Sequence, residues 1–129
     1  MVRALVRLPL GVPISNEPKF PAGVTNFNAT DMGGQVNIKY TDPEDSFWTH
    51  TRVYYIKGQN MAFNDIEKEG TLLFESTTRN QYKDVTYKTV SLEFLLGTYY
   101  TVFFVTYSKD GYDKDNIQKY TFFRGGEVA

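Results

Sequence analysis

Between residues 35 and 41 the chain alternates without exception: Val36, Ile38 and Tyr40 are apolar, while Gln35, Asn37, Lys39 and Thr41 are polar. A period of two places one set of side chains on each side of an extended strand, so this segment predicts a half-buried β-strand with one face on a core. Residues 24–30 carry Phe27 and Ala29 two apart, and Asp31, Met32, Gly33 and Gly34 follow as turn residues. The two segments therefore predict a hairpin. Residues 51–57 are rich in β-branched and aromatic side chains on both faces and stop at Gly58, the pattern of a central strand. Further strands are predicted over 71–76, 81–89 and 99–108, the last being the strongest. Asp110-Gly111 turns that strand, because Asp-Gly tolerates the positive φ a tight hairpin needs. A final strand over 117–123 ends at Gly125 and Gly126. The only helical signal is one turn within 64–69. Roughly seven short strands with no crossover helices predict an all-β fold, an antiparallel immunoglobulin-like sandwich.

The first 23 residues differ in kind. Pro9, Pro13, Pro18 and Pro21 are four of the five prolines in the chain, and each opposes helix and favours extended backbone. This segment reads as an extended N-terminal arm (1–23) ahead of the sandwich (24–129). Its opening resembles a secretion signal only superficially, since Arg7 and Pro9 interrupt the apolar run and no small-residue cleavage site follows. No run reaches the ~18 apolar residues of a membrane span, so neither a signal peptide nor a transmembrane segment is expected. A floppy leader is one reading of the arm. The other, which is preferred, is that Leu5, Val6, Leu8, Leu10, Val12 and Ile14 dock on a neighbouring subunit or another protein, because an apolar arm outside its own core is ordered more readily by a partner.

Composition narrows the function classes. The chain has 129 residues, enough for one domain; 10 Phe, 10 Tyr and 1 Trp make it aromatic-rich, which suits a core built without staples. There is no cysteine, so disulfides and thiolate metal sites are excluded, and His50 is the single histidine. The net charge is −1, which offers no overall attraction to nucleic acid or to a membrane surface, and neither is expected as a partner.

A family resemblance rests on particular residues. Phe94-Leu95-Leu96-Gly97-Thr98-Tyr99-Tyr100 resembles the Leu-x-Pro-Gly-Thr-x-Tyr signature of fibronectin type III domains, with Phe94 in place of Leu and Leu96 in place of Pro. The resemblance implies that Tyr100 is the tyrosine-corner residue, its hydroxyl bonded to backbone just upstream. Residues 36–43 look like the second strand of such a domain, with Tyr40 where the family usually has Trp. The run from Tyr40 through Asp42-Pro43, Phe47-Trp48, Lys57-Gly58 and Glu69-Gly70 is similar to the fibronectin-like modules of bacteriophage tail and baseplate proteins. The resemblance covers roughly residues 24–123 and leaves the arm outside. It implies a non-enzymatic structural protein of a phage virion, assembled in the host cytoplasm. Its partners would be other virion proteins and further copies of itself, and no cofactor is implied. Deleting residues 1–23 is then expected to leave the sandwich folded and to abolish incorporation into particles.

Candidate chemistry is sparse. Asp42, Glu44 and Asp45, or Asp65, Glu67 and Glu69, could supply a pair of hydrolytic carboxylates, but they read as ordinary loop acids. Asp110, Asp113, Asp115 and Asn116 offer oxygen ligands without the spacing of a calcium loop. His50 has no nucleophile motif around it. No catalytic residue and no metal site are therefore expected. Phe47, Trp48, His50 and Tyr112 fall in two loops that share one end of an immunoglobulin-like sandwich. They form a candidate binding patch for a host glycan or a protein, the alternative function, although Trp48 reads more readily as a cap on the core.

Overall fold

The computed structural model describes residues 17–32, 35–78, 83–90 and 94–125. Seven strands form: β1 (Thr25–Asp31), β2 (Gln35–Thr41), β3 (His50–Lys57), β4 (Thr71–Thr77), β5 (Asp84–Val90), β6 (Thr98–Tyr107) and β7 (Gln118–Arg124). One helical turn, α1 (Ile66–Glu69), lies between β3 and β4. All pairings are antiparallel, in sheets ordered β1-β2-β5 and β4-β3-β6-β7. This is the seven-stranded immunoglobulin-like sandwich that the periodicity predicts, with β1 and β2 paired as a hairpin and β3 inside its sheet. Among the described residues no helix is long and apolar enough to cross a membrane.

The core lies where the two sheets face each other. The apolar half of the β2 alternation, Val36, Ile38 and Tyr40, is fully buried against Val53 of β3, Tyr100, Val102 and Phe104 of β6 and Phe122 of β7. Phe104 carries the contact between sheets, its ring 5.4 Å from Tyr40 and 5.5 Å from Phe27. Each such side chain withdrawn from water contributes ~1.5–3 kcal/mol, which is how the sandwich manages without disulfides.

A second apolar layer forms on the outer face of the four-stranded sheet. Strand β6 is buried on both faces: its alternate residues Phe103, Val105 and Tyr107 join Tyr54 and lie under Ile66, Met61, Phe63, Tyr112 and Ile117. Phe63 meets Phe103 edge-on at 5.2 Å. Met61 and Phe63 thus cover a sheet face. The covering segment is anchored by α1, whose N-terminus is capped by Asp65 accepting from the Glu67 N–H at 3.1 Å. The Glu69 carboxylate accepts in turn from the Asn64 and Asp65 N–H groups, so the exposed donors of this turn are satisfied by its own side chains.

The entry into β6 is fixed locally. The Tyr100 hydroxyl accepts from the Leu95 N–H at 2.7 Å, and the Gly97 N–H donates to the Arg124 carbonyl at 2.7 Å. Gly97 has φ +75°, a conformation in which a side chain at that position would cost ~1–2 kcal/mol. At this same end, the buried Arg124 of β7 reaches across to Asp31 of β1 at 2.9 Å and ties one sheet to the other.

Candidate functional site

Three segments meet at the opposite end of the sandwich: the β2–β3 connection, the β6–β7 connection and the chain leading into β1. Short polar side chains hold them together. Asp45 turns its own loop by accepting from the Phe47 N–H at 2.8 Å, and its second oxygen accepts from the Ala22 N–H at 3.1 Å. Asp110 accepts from the Lys19 N–H at 3.0 Å, and the Ser108 hydroxyl donates to the Lys19 carbonyl. The Asn116 amide approaches the Pro21 carbonyl at 3.5 Å, and Pro21 is buried. From Lys19 onward, then, the chain assigned to the arm lies against the sandwich. The candidate docking residues Leu5, Val6, Leu8, Leu10, Val12 and Ile14 lie outside the described residues.

A cavity of about 370 Å³ opens between these segments, lined by Lys19, Ser46, Phe47, Thr49, Ser108, Lys109 and Asp110. The four candidate patch residues distribute unevenly around it. Phe47 lines it and is 46% exposed. Trp48 turns inward, 8% exposed, with its indole N–H donating to the Thr51 hydroxyl at 2.8 Å. His50 begins β3 rather than sitting in the loop, and stacks on Tyr107 at 4.5 Å with the rings nearly parallel. Tyr112 meets the same Tyr107 edge-on at 5.4 Å. The structure therefore brings His50 and Tyr112 together through Tyr107, and of the two adjacent loop aromatics leaves Phe47 alone on the surface. Removing that ring is expected to leave stability within about 0.5 kcal/mol of the parent, as for surface positions in general. Chemical denaturation of Phe47→Ala checks this.

Tyr107 is the centre of a polar cluster that sequence reasoning missed. The Tyr54 hydroxyl shares a 2.8 Å hydrogen bond with the Tyr107 hydroxyl, which donates to Glu67 of α1 at 2.9 Å. The Arg52 guanidinium pairs with Glu75 at 2.8 Å and sits 5.1 Å from the Tyr107 ring centre. Burial, and then the bonds to Tyr54 and Glu67, push the Tyr107 hydroxyl far above the ordinary tyrosine value. Burial also holds the His50 imidazole below 6.5; the nearby Arg52 cation adds to this and Glu75 opposes it. Tyr112 is raised by burial, with Asp65 and Glu67 adding to it. The cluster pins α1 onto the sheet, and its acidic groups are engaged in doing so.

A second cluster is buried between the sheets. The Asp42 carboxylate ends two hydrogen-bond chains: Trp48 to Thr51 to Asp42, the last step 2.7 Å, and Tyr40 to Ser76 to Asp42, with steps of 2.9 Å and 3.1 Å. Desolvation raises the Asp42 pKa, against the hydrogen bonds from Thr51, Ser76 and the Lys83 backbone, which lower it. Tyr40 is raised well above 10 by burial, and the neighbouring Asp42 charge adds to this. Glu44 pairs with Lys83 at 2.9 Å on the surface. The acids singled out as candidate hydrolytic pairs are thus spread over a buried network, a loop cap, a helix cap and surface ion pairs. Among the described residues no group of three or more His, Asp or Glu side chains is arranged to hold a metal ion.

At the end where Gly97 enters β6, the surface is apolar. Leu95 and Leu96 are 59% and 58% exposed, and Tyr99 and Phe123, paired across β6 and β7 with rings 4.8 Å apart, are also exposed. These residues read in the sequence as ordinary strand and motif positions. No signal there distinguishes them from core, because exposure depends on the covering segment stopping short of them. No family model matches the chain, and no curated protein is found to match its sequence.

Proposed function

We propose that the protein is a non-enzymatic structural and interaction component of a bacteriophage virion, in the tail, in the baseplate or attached to the capsid. In this reading it docks on other virion proteins and on further copies of itself through its arm and its sandwich surface. The observation that carries the docking part is the exposed apolar surface of Leu95, Leu96, Tyr99 and Phe123 on a sandwich whose loop acids are engaged in holding its own segments together. Contiguous exposed apolar residues of this kind mark interaction surfaces. The virion part is supported by the resemblance of the run from Tyr40 to Gly70 to fibronectin-like modules of phage tails.

The test is assembly. Because Lys19 and Pro21 are bonded into the loop end, the cut belongs before residue 17 rather than after residue 23. A chain beginning at Glu17 is expected to keep the sandwich's thermal transition and to be missing from purified particles by mass spectrometry. Normal incorporation of that chain overturns the reading. The glycan alternative is supported by the cavity beside Phe47, since an exposed ring next to polar groups suits stacking on a sugar face. An unchanged profile of Phe47→Ala on a host-glycan array removes it.

A further inference from the structure

We infer that the cavity beside Phe47 takes an acidic saccharide, its sugar ring stacked on Phe47 and its negatively charged group held by Lys19 and Lys109. This rests on the glycan reading above and adds to it the class of sugar. The walls of the cavity are fixed before any ligand arrives. The Thr49 N–H donates to the Tyr107 carbonyl at 2.8 Å and the Thr49 hydroxyl to the same carbonyl at 3.1 Å, while the backbones of Ser108 and Gly111 bond each other across the turn. Asp45 and Asp110 tie the incoming chain to these loops through the N–H groups of Ala22 and Lys19. A preformed site loses little affinity to the ordering of its loops. At about 370 Å³ the cavity falls within the ~300–1,000 Å³ range of small-molecule sites.

The groups left over select the ligand. The hydroxyls of Thr49 and Ser108 are engaged with the Tyr107 and Lys19 carbonyls. Among the described residues the Ser46 hydroxyl and the ammonium groups of Lys19 and Lys109 have no hydrogen-bond or ion-pair partner. Of the acids in the surrounding connections only Asp110 lines the cavity, and one of its oxygens already accepts from the Lys19 N–H. The wall therefore sets two unpaired cations against one carboxylate, and a concave surface concentrates that positive field. An uncharged sugar uses the Phe47 face and leaves both ammonium groups idle. A sugar that carries a carboxylate or a phosphate pairs with them as well, and because an ammonium is a point charge on a flexible stem, either group suits it.

The position of the cavity fits this use. Strand β6 runs from the apolar end at Thr98 to the cavity end at Tyr107, 10 residues in all. At ~3.4 Å per residue the two ends lie roughly 30 Å apart. A chain held through Leu95 and Leu96 therefore keeps the cavity accessible to a saccharide.

Binding of the full chain to a panel of saccharides tests this, the members sharing a backbone and carrying a carboxylate, a phosphate or no charge. An acidic member is expected to bind about tenfold more tightly than its neutral counterpart, and the difference is expected to shrink as salt is raised. Which acidic set is retained identifies the charged group. Lys19→Gln and Lys109→Gln are each expected to weaken the acidic ligand about threefold, and together about tenfold, since an exposed charge pair is worth little alone. Neither change alters neutral binding, and the backbone bonds of residue 19 survive the substitution. Lys57→Gln removes the same charge at the far end of β3, where Lys57 pairs with Tyr100, and is expected to leave binding as it was. Phe47→Ala is expected to weaken acidic and neutral members alike. Thermal unfolding confirms that each variant folds. Equal binding of acidic and neutral members, or equal losses in Lys57→Gln and Lys109→Gln, overturns the inference and leaves the glycan reading standing. Failure of every member to bind overturns both.

Discussion

Replacing Asp31 with Ala is expected to destabilise the sandwich by ~3–5 kcal/mol, because it strands the buried Arg124 guanidinium without its 2.9 Å counter-charge. The effect belongs to the unpaired cation, not to any large net worth of the pair. A buried ion pair gains in Coulomb attraction roughly what it loses in desolvation, so removing both charges costs far less than removing one. The double variant Asp31→Leu with Arg124→Met is therefore expected within about 1–2 kcal/mol of the parent, allowing for an imperfect repacking of the site. Urea unfolding of the two variants side by side distinguishes the cases. Equal loss in both would mean that the bridge between β1 and β7 is held by packing, not by charge.

The second large effect concerns the network between the sheets. Asp42→Ala removes the acceptor for Thr51 and Ser76 and leaves the chains that begin at Trp48 and Tyr40 without an end, at a cost of roughly 3 kcal/mol. Asp42→Asn keeps an acceptor and is the milder variant, and it isolates the charge. Burial raises the Asp42 pKa in the folded state above its ordinary value of 3.8. The folded protein then binds this proton more tightly than the unfolded chain does. Its contribution to stability is therefore fully present below pH 3.8 and is lost as pH rises through the folded-state value. Relative to Asp42→Asn, the parent should lose stability as pH is raised across that window, and denaturant midpoints at a series of pH values measure it. A difference that stays flat with pH would mean that the hydrogen bonds offset the desolvation of the carboxylate.

Strand positions were legible where the period of two was clean or the apolar run long. Val36, Ile38 and Tyr40 announce both a strand and its buried face, and the run through Val102 to Val105 announces a strand, which the structure buries on both sides. The outer apolar layer was not legible. Whether Met61 and Phe63 cover a face or an edge depends on how the β3–β4 connection folds back, and local pattern carries no information on that. The clusters were hidden for a related reason: His50 meets Tyr107 through the β3–β6 register, and Tyr40 meets Ser76 across 36 positions of sequence. Trp48 illustrates the limit well. From sequence it fits a core cap better than a surface patch without excluding either, and the buried Thr51 hydroxyl that receives its N–H decides for the interior. Composition marks a proline-bearing segment that continues to Pro21, and it carries no sign that the chain is bonded to the sandwich from Lys19.

In the proposed reading the sandwich keeps its polar groups for itself and offers an apolar arm and an exposed apolar surface to its assembly partners. Amide hydrogen exchange, compared between the isolated protein and the same protein in assembled particles, measures this directly. Peptides covering residues 6–14, 95–99 and 118–124 are expected to gain protection on assembly, while those covering the cavity residues 46–49 and 108–110 stay unchanged. Unchanged exchange in the arm and along β7, with new protection confined to the cavity loops, would contradict it.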